Sequence, residues 1–388
     1  MGQSFQLVAP RAKLALSWSG KLGEILFDGS AKDLVYLLAI PVRQQHDSPQ
    51  NTPIDSIKTI CKEERGVKRN RDDDNGHAEP PRYRKQSKVQ TGNEKMVSNT
   101  VVALSNLPLE LHRLIFSFIE DIKDVISLSI TNQYFLSIGR ECLEDYYTSH
   151  FGQWAGTNIV CVGHDVKPSD YPPGLFSNEE LEVLQQKSTD IPDDWRYPDE
   201  GAVRNEPFTL EHFTYPTVSM IEEPTNSLNN IICYLMGSCI RRGISKDPAF
   251  FHIEPHFWVT NETYFPTDQQ WILRNLTTRQ IVRSDATALS PDYISGPNIR
   301  VLGFGEVVMS RICWSTSSCV SMKDTTNISR GVWAGHCFDI NTLSRHKAET
   351  RGEEWIDVSE EVAKEIASIW EGEYGANWRE IICKSWPY

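Results

Sequence analysis

Between residues 46 and 98 the apolar side chains that a folded core needs nearly vanish. The text there runs Lys62-Glu-Glu-Arg65, Lys68-Arg-Asn-Arg71, Asp72-Asp-Asp74 and Pro80-Pro-Arg-Tyr-Arg-Lys85. Such a segment buries too little apolar surface to offset the entropy of ordering it, so residues 46–98 are expected to be a disordered linker. The linker divides the 388-residue chain. Residues 1–45 are too few for a core of their own and are expected to pack on something beyond the linker. Residues 99–148 carry a strong helical pattern, and residues 149–388 form a third region.

In the first segment, Phe5–Val8, Leu14–Trp18 and Glu24–Phe27 read as short strands, separated by Pro10, Gly20 and Gly23. Ala31–Leu38 reads as one or two helical turns. In the third region, Phe257–Val259, Trp271–Leu273, Gln280–Val282, Val301–Gly303, Val307–Met309, Ile312–Trp314 and Phe338–Ile340 read as strands. Helices are predicted over Asn178–Gln186 after Ser177, over Asn226–Arg241, and after Asp357. The last has Glu360 in a capping box and Val362, Ile366, Ile369 and Trp370 on one face. The fold class is α+β: a three-helix module plus a mixed α+β region. One short motif occurs twice, Trp154-Ala-Gly156 with Ile159 after it and Trp333-Ala-Gly335 with Phe338 after it. Each copy reads as a turn feeding a strand.

A formal net charge of -13 opposes binding to nucleic acid and to anionic membranes, so neither is an expected partner. The apolar run Leu34–Val42 is too short to span a bilayer and starts too late for a secretory leader. The nine cysteines are odd in number and spread along the chain, which argues against a disulfide framework and fits a reducing compartment, cytoplasm or nucleus.

The 99–148 stretch is the best-patterned. Leu111, Leu114, Ile115, Phe118 and Ile119 make one helical stripe behind Leu107-Pro108, and Pro suits a first helical turn. Phe116 lies off that stripe and is expected to face a partner. Asp121 is the expected cap of a second helix holding Val125, Leu128 and Ile130. Asn132 is the expected start of a third, with Phe135, Ile138, Cys142 and Tyr146 inside. Three helices of about ten residues each bury little surface alone, so such a unit is marginal until something covers it.

This ordered text resembles an F-box: Leu107-Pro108-Leu-Glu110, then Ile115, Phe118-Ile119, the acidic turn Asp121/Asp124, Val125, Leu128, Ser129 and the aromatic pair Tyr134-Phe135. Departures are Ile119 where the family favours Leu and Ile130-Thr131-Asn132 where it favours Val-Ser-Arg. The resemblance implies binding to the Skp-type adaptor of a cullin–RING ubiquitin ligase and presentation of a protein target by the rest of the chain. On it, Leu107, Pro108, Leu111, Ile115, Phe116, Ile119, Val125 and Leu128 are the candidate partner-binding residues. Ser17–Glu24, Arg274–Thr278, Arg311–Trp314 and the two Trp-Ala-Gly motifs are similar to a group of fungal F-box-containing proteins, a likeness that implies architecture and not chemistry.

Two basic clusters in the linker, Lys68-Arg69 and Arg82/Arg84/Lys85, are spaced as in a bipartite nuclear import signal, against the plainer reading of a solvated charge run. His252, Glu254 and His256 alternate, so on a strand they would share a face in the style of a two-His-one-carboxylate metal site. Neighbours about 7 Å apart on one strand are too far apart to converge on one ion. Cys161/His164 and His336/Cys337 have no second zinc-type pair beside them, and no phosphate loop or nucleophile elbow occurs. All but one of the eleven tryptophans follow residue 150 and are expected in the core more often than in a sugar or peptide groove. The expectation is therefore a non-enzymatic adaptor with no cofactor. The alternatives are a metal-dependent enzyme in the C-terminal region and an F-box scaffold acting outside a ligase.

Overall fold

The computed structural model describes residues 2–42, 104, 107–131, 133–192, 203–215, 234, 264–323 and 326–385. The linker, the import-signal candidates Lys68, Arg69, Arg82, Arg84 and Lys85, the His252/Glu254/His256 triplet, Phe257–Val259 and all of Asn226–Arg241 except Tyr234 lie outside the described residues.

In chain order, β1 (Ser4–Ala9) and β2 (Leu14–Lys21) precede α1 (Leu22–Phe27) and α2 (Asp33–Leu38). Three helices follow: α3 (Leu109–Ser117), α4 (Ile122–Ser129) and α5 (Gln133–His150). Next come β3 (Val160–Gly163), α6 (Asn178–Gln186) and the paired strands β4 (Ser188–Pro192) and β5 (Val203–Pro207). The hairpins β6 (Trp271–Asn275)/β7 (Gln280–Arg283) and β8 (Ile294–Ser295)/β9 (Asn298–Ile299) lead to α7 (Phe304–Ile312) and β10 (Cys313–Trp314). The chain ends with β11 (Phe338–Thr342), α8 (Leu343–Glu349), β12 (Ile356–Asp357), α9 (Ser359–Tyr374) and α10 (Trp378–Ser385).

One compact unit comprises residues 1–43 and 116–388; residues 44–115 form a second. The N-terminal segment does pack on the distant region, as its size demands. Phe5, Leu7, Leu26 and Leu38 share one buried cluster with Trp271, Phe338, Ile366 and Trp370. The cluster also holds Leu136, Leu143 and Tyr147, so α5 is part of this unit and runs straight through the boundary expected at 148/149.

The first sheet has the order β10-β3-β1-β2 and the second β11-β6-β7-β12. Each is built the same way. A hairpin (β1–β2, β6–β7) is followed by a helix (α2, α7), a short extended edge (Ala39, β10), a Trp-Ala-Gly turn, and a strand that returns antiparallel beside the first strand of its own hairpin (β3 on β1, β11 on β6). The extended edge crosses over. Cys313 pairs in parallel with Cys161 of the first sheet, and Ala39 pairs in parallel with Ile340 of the second. Both partners stand five positions after the motif glycine. The Gly156 N–H donates to the Phe338 carbonyl (2.8 Å), and the Gly335 N–H donates to the Ile159 carbonyl (2.9 Å). The Trp154 and Trp333 N–H groups reach back to Leu37 and Arg311, near the ends of the matching helices. The repeat seen in the sequence is thus the hinge of an internal duplication with exchanged edges. The charge-rich stretch and α3–α5 are inserted into the first copy, between its edge and its Trp-Ala-Gly turn.

Local chemistry explains which predicted elements formed. Ser177 caps α6 in a reciprocal box with Glu180. Helix α9 buries Val362, Ile366, Ile369 and Trp370 as the 3.6-residue stripe requires. Its start differs: Asp357 accepts the Ser359 N–H and hydroxyl and forms no box with Glu360.

Glu24–Phe27, expected as a strand, is helical. Glu24 accepts the Lys21 N–H, and Leu22, Ile25 and Leu26 are buried at i, i+3, i+4. Val307–Met309 is also helix and not strand: every residue of α7 is buried, Glu306, Ser310 and Arg311 included, and the short apolar run Val307-Val-Met309 has the same text as a buried strand. Val301, expected in a strand, has φ of 80° and turns the chain into that helix. Trp154, Trp271, Trp333, Trp370 and Trp378 are core residues.

Glu306 on α7 is fully enclosed and accepts the Gly303 N–H at 2.8 Å, and burial pushes its carboxyl up to about 7. The folded state therefore favours the protonated acid. Its contribution to stability is complete below the unfolded value of about 4.5 and is lost as pH rises through about 7. Glu306→Gln keeps the capping geometry without the ionisation. Between pH 5 and pH 8 its denaturation midpoint should fall less than that of the wild type, and parallel pH profiles would contradict this.

Candidate functional site

The helices α3–α5 make the candidate docking module. Helix α3 opens on Pro108, whose carbonyl accepts the Leu111 and His112 N–H groups, because proline has no N–H to waste in a first turn. Helix α4 is capped by Asp121, which accepts the Lys123 N–H at 2.8 Å. Helices α4 and α5 cross where Gly139 faces Ser129. A Cβ on Gly139 would fall 1.7 Å from the Ser129 hydroxyl, so only glycine allows the approach. The Ser129 hydroxyl is buried and donates to the Val125 carbonyl at 2.6 Å. The third helix is 18 residues, not about ten, and its extra turns carry Leu143 and Tyr147 into the main core. It begins at Gln133.

The candidate residues separate into two groups. Phe116, expected to face a partner, is 2% exposed and packs against Phe135, with ring centroids 6.1 Å apart. Val125 is 3% exposed. These two hold the module together and are not available on its surface. Leu107, Ile115, Ile119 and Leu128 are half-buried, and Pro108 is exposed.

Along the stripe read from the sequence, Leu111 is 44%, Leu114 50% and Phe118 76% exposed. The buried positions of α3 are Phe116 and His112, which is 1% exposed and sits 2.7 Å from the Leu104 carbonyl through its Nε2. Sequence reasoning missed His112. The signal was its i, i+4 relation to Phe116, on a helix with too many apolar residues for one face to hold.

Among the described residues, no helix is long and apolar enough to cross a membrane. No group of three His, Cys, Asp or Glu side chains among them is placed to hold a metal ion. Of the zinc-type candidates, Cys161 lies inside β3, and His336 contacts the Asn275 amide at 2.9 Å through Nδ1. The described cysteines, Cys142, Cys161, Cys313, Cys319, Cys337 and Cys383, are not joined to one another in disulfides. No protein-family model, curated protein or solved structure matches the chain.

Proposed function

We propose that Leu107, Pro108 and the exposed apolar side chains Leu111 and Leu114 of α3 dock onto a Skp-type adaptor of a cullin–RING ubiquitin ligase, and that the α+β body presents a protein target to the ligase. The observation that carries this reading is the exposure of three large apolar side chains close together in the chain, Leu111 and Leu114 on α3 and Phe118 just after its last residue. Helices normally turn such side chains inward. Exposed apolar side chains on a helix match the helix-in-groove mode of partner recognition. The ordered likeness of residues 107–135 to the F-box family selects the kind of partner.

Apolar anchors at the centre of an interface typically cost about 2–4 kcal/mol on truncation, roughly 30- to 1,000-fold in affinity. The double variant Leu107→Ala/Pro108→Ala, and separately Leu111→Ala/Leu114→Ala, should lose co-purification of the adaptor. Circular dichroism should stay unchanged, because three of these four side chains are exposed and Leu107 is half-buried. A wild-type chain that recovers no adaptor ends the proposal. Variants that recover as much as wild type place the contact elsewhere. Recovery of adaptor without cullin favours a scaffold outside the ligase.

A further inference from the structure

The last two helices leave a cavity of about 150 Å³ between them and the segment before α7, within the compact unit. Helix α9 lines it with Ala363, Ile366 and Ala367, and α10 with its first two residues, Trp378 and Arg379. Leu302 adds to the wall from the α7 side. A tight turn brings Trp378 there. The Gly375 N–H donates to the Glu371 carbonyl at 2.8 Å, Gly375 takes φ of 79°, and the Trp378 N–H donates to the Gly375 carbonyl at 3.0 Å. Leu302, Ile366 and Trp378 are at most 3% exposed, so these walls are core residues held by their own packing. The two α9 alanines carry too little side chain to fill the space in front of them.

Arg379 is the charged residue of the lining, and it is exposed, which puts it at the mouth. Its guanidinium lies over the Trp378 ring, 4.4 Å from the centroid. Stacking engages the face of the guanidinium and leaves its in-plane N–H fork for an acceptor. Among the described residues no ion pair takes up that fork. The two acids nearest in the chain to these walls contact other cations. Asp285 contacts Arg283 at 3.2 Å, and Glu380 contacts Lys384 at 3.6 Å.

We propose that this cavity binds a small monocarboxylate with a compact apolar body. The body follows from the walls. Leu302, Ile366, the alanines and the Trp378 ring offer apolar surface, and an apolar cavity of roughly 150 Å³ is the size that takes up a benzene ring. The charge follows from Arg379. Its planar fork matches the two oxygens of a carboxylate, and one guanidinium balances one negative charge. A neutral ligand leaves the fork unused, and an amine is repelled by it. An apolar recess with one polar group to fix orientation is the usual form of a small-molecule site. The site does not depend on the adaptor reading, since none of its residues belongs to α3–α5.

Benzoate titrated into the full chain and followed by ligand-observed NMR is the test. Acetate, which lacks the apolar body, and benzyl alcohol, which lacks the charge, are the comparators. Benzoate should bind at least tenfold more tightly than either. Arg379→Gln should weaken benzoate by tenfold or more, as expected for loss of a charge-assisted hydrogen bond, and should leave benzyl alcohol within threefold of wild type. The Arg379 side chain is exposed, so this variant should keep the wild-type circular dichroism spectrum. Ala367→Leu fills the cavity from α9 and should remove binding of both ring compounds. Absence of saturable benzoate binding at millimolar concentration overturns the proposal. Acetate binding as tightly as benzoate overturns it by reducing the site to an exposed cation, and benzyl alcohol binding as tightly does so by leaving Arg379 without a role. A folded Arg379→Gln or Ala367→Leu variant that binds benzoate like wild type overturns it as well.

Discussion

Asp339→Ala should destabilise the fold by about 3–5 kcal/mol, the typical penalty for removing one partner of a buried ion pair. Asp339 on β11 stands directly opposite Arg274 on β6 and takes both arms of its guanidinium, at 2.7 and 2.6 Å. Each side chain is only 6% exposed. The pair itself is worth little, because desolvating two charges nearly cancels their attraction. The loss comes from the guanidinium left behind. It keeps Glu349 at 2.9 Å, but that carboxylate is 38% exposed and too well solvated to replace a buried bidentate partner. The double variant Arg274→Met/Asp339→Leu should therefore recover most of the loss, since it removes both charges and leaves apolar volume. Chemical denaturation of wild type, single and double variants is the measurement. A double variant as unstable as the single would mean that the shape of the site, and not the orphaned charge, sets the cost.

The second large effect separates two glycines that the sequence presents as equivalents. Gly156 and Gly335 close the two Trp-Ala-Gly turns with φ of 76° and 80°. An alanine at either position bears the left-handed penalty of about 1–2 kcal/mol. Around Gly156 nothing lies within 4 Å of the added Cβ, so Gly156→Ala should cost only that. At Gly335 the Cβ would fall 2.9 Å from the Leu175 Cβ, inside a packed cluster with Val160, Val162 and Ala334. Overpacking adds about 1–3 kcal/mol, for a total of roughly 2–5 kcal/mol. Thermal unfolding of the two variants should show a clear gap. Equal midpoints would mean that Leu175 moves aside freely.

How much of this was legible in the sequence depended on how local each signal was. The Ser177–Glu180 box and the stripe Val362, Ile366, Ile369, Trp370 are decided within a few residues, and the predicted helices stand there. Val307-Val-Met309 failed because a short apolar run in a fully enclosed helix shows no period. Val160–Gly163 was legible only as the strand that the first Trp-Ala-Gly turn feeds, since four residues buried on both sides show no alternation. In the helical module the positions of the helices were readable, but the burial of Phe116 and His112 on α3 was not. Leu109, Leu111, Leu114, Ile115, Phe116 and Phe118 surround most of the helix, and His112 breaks the rule that polar residues face out. The two Trp-Ala-Gly motifs were visible as text. Their mutual pairing was not, because nothing local encodes which distant carbonyl a glycine N–H will meet.

The exchanged edges have a consequence for how the chain folds as it leaves the ribosome. The first sheet is among the earliest parts synthesised, yet its outer strand, Cys313-Trp314, is made only after most of the chain has emerged. Until then β3 presents an open row of backbone donors and acceptors, the template for unwanted strand pairing. Ala39 is in the converse position, waiting for Ile340. Neither sheet is finished early, and long-range pairings of this kind make folding slow. Nascent and prematurely terminated chains ending before residue 313 would thus share one vulnerability, aggregation through the β3 edge, which a chaperone holding that strand until synthesis passes Trp314 would relieve.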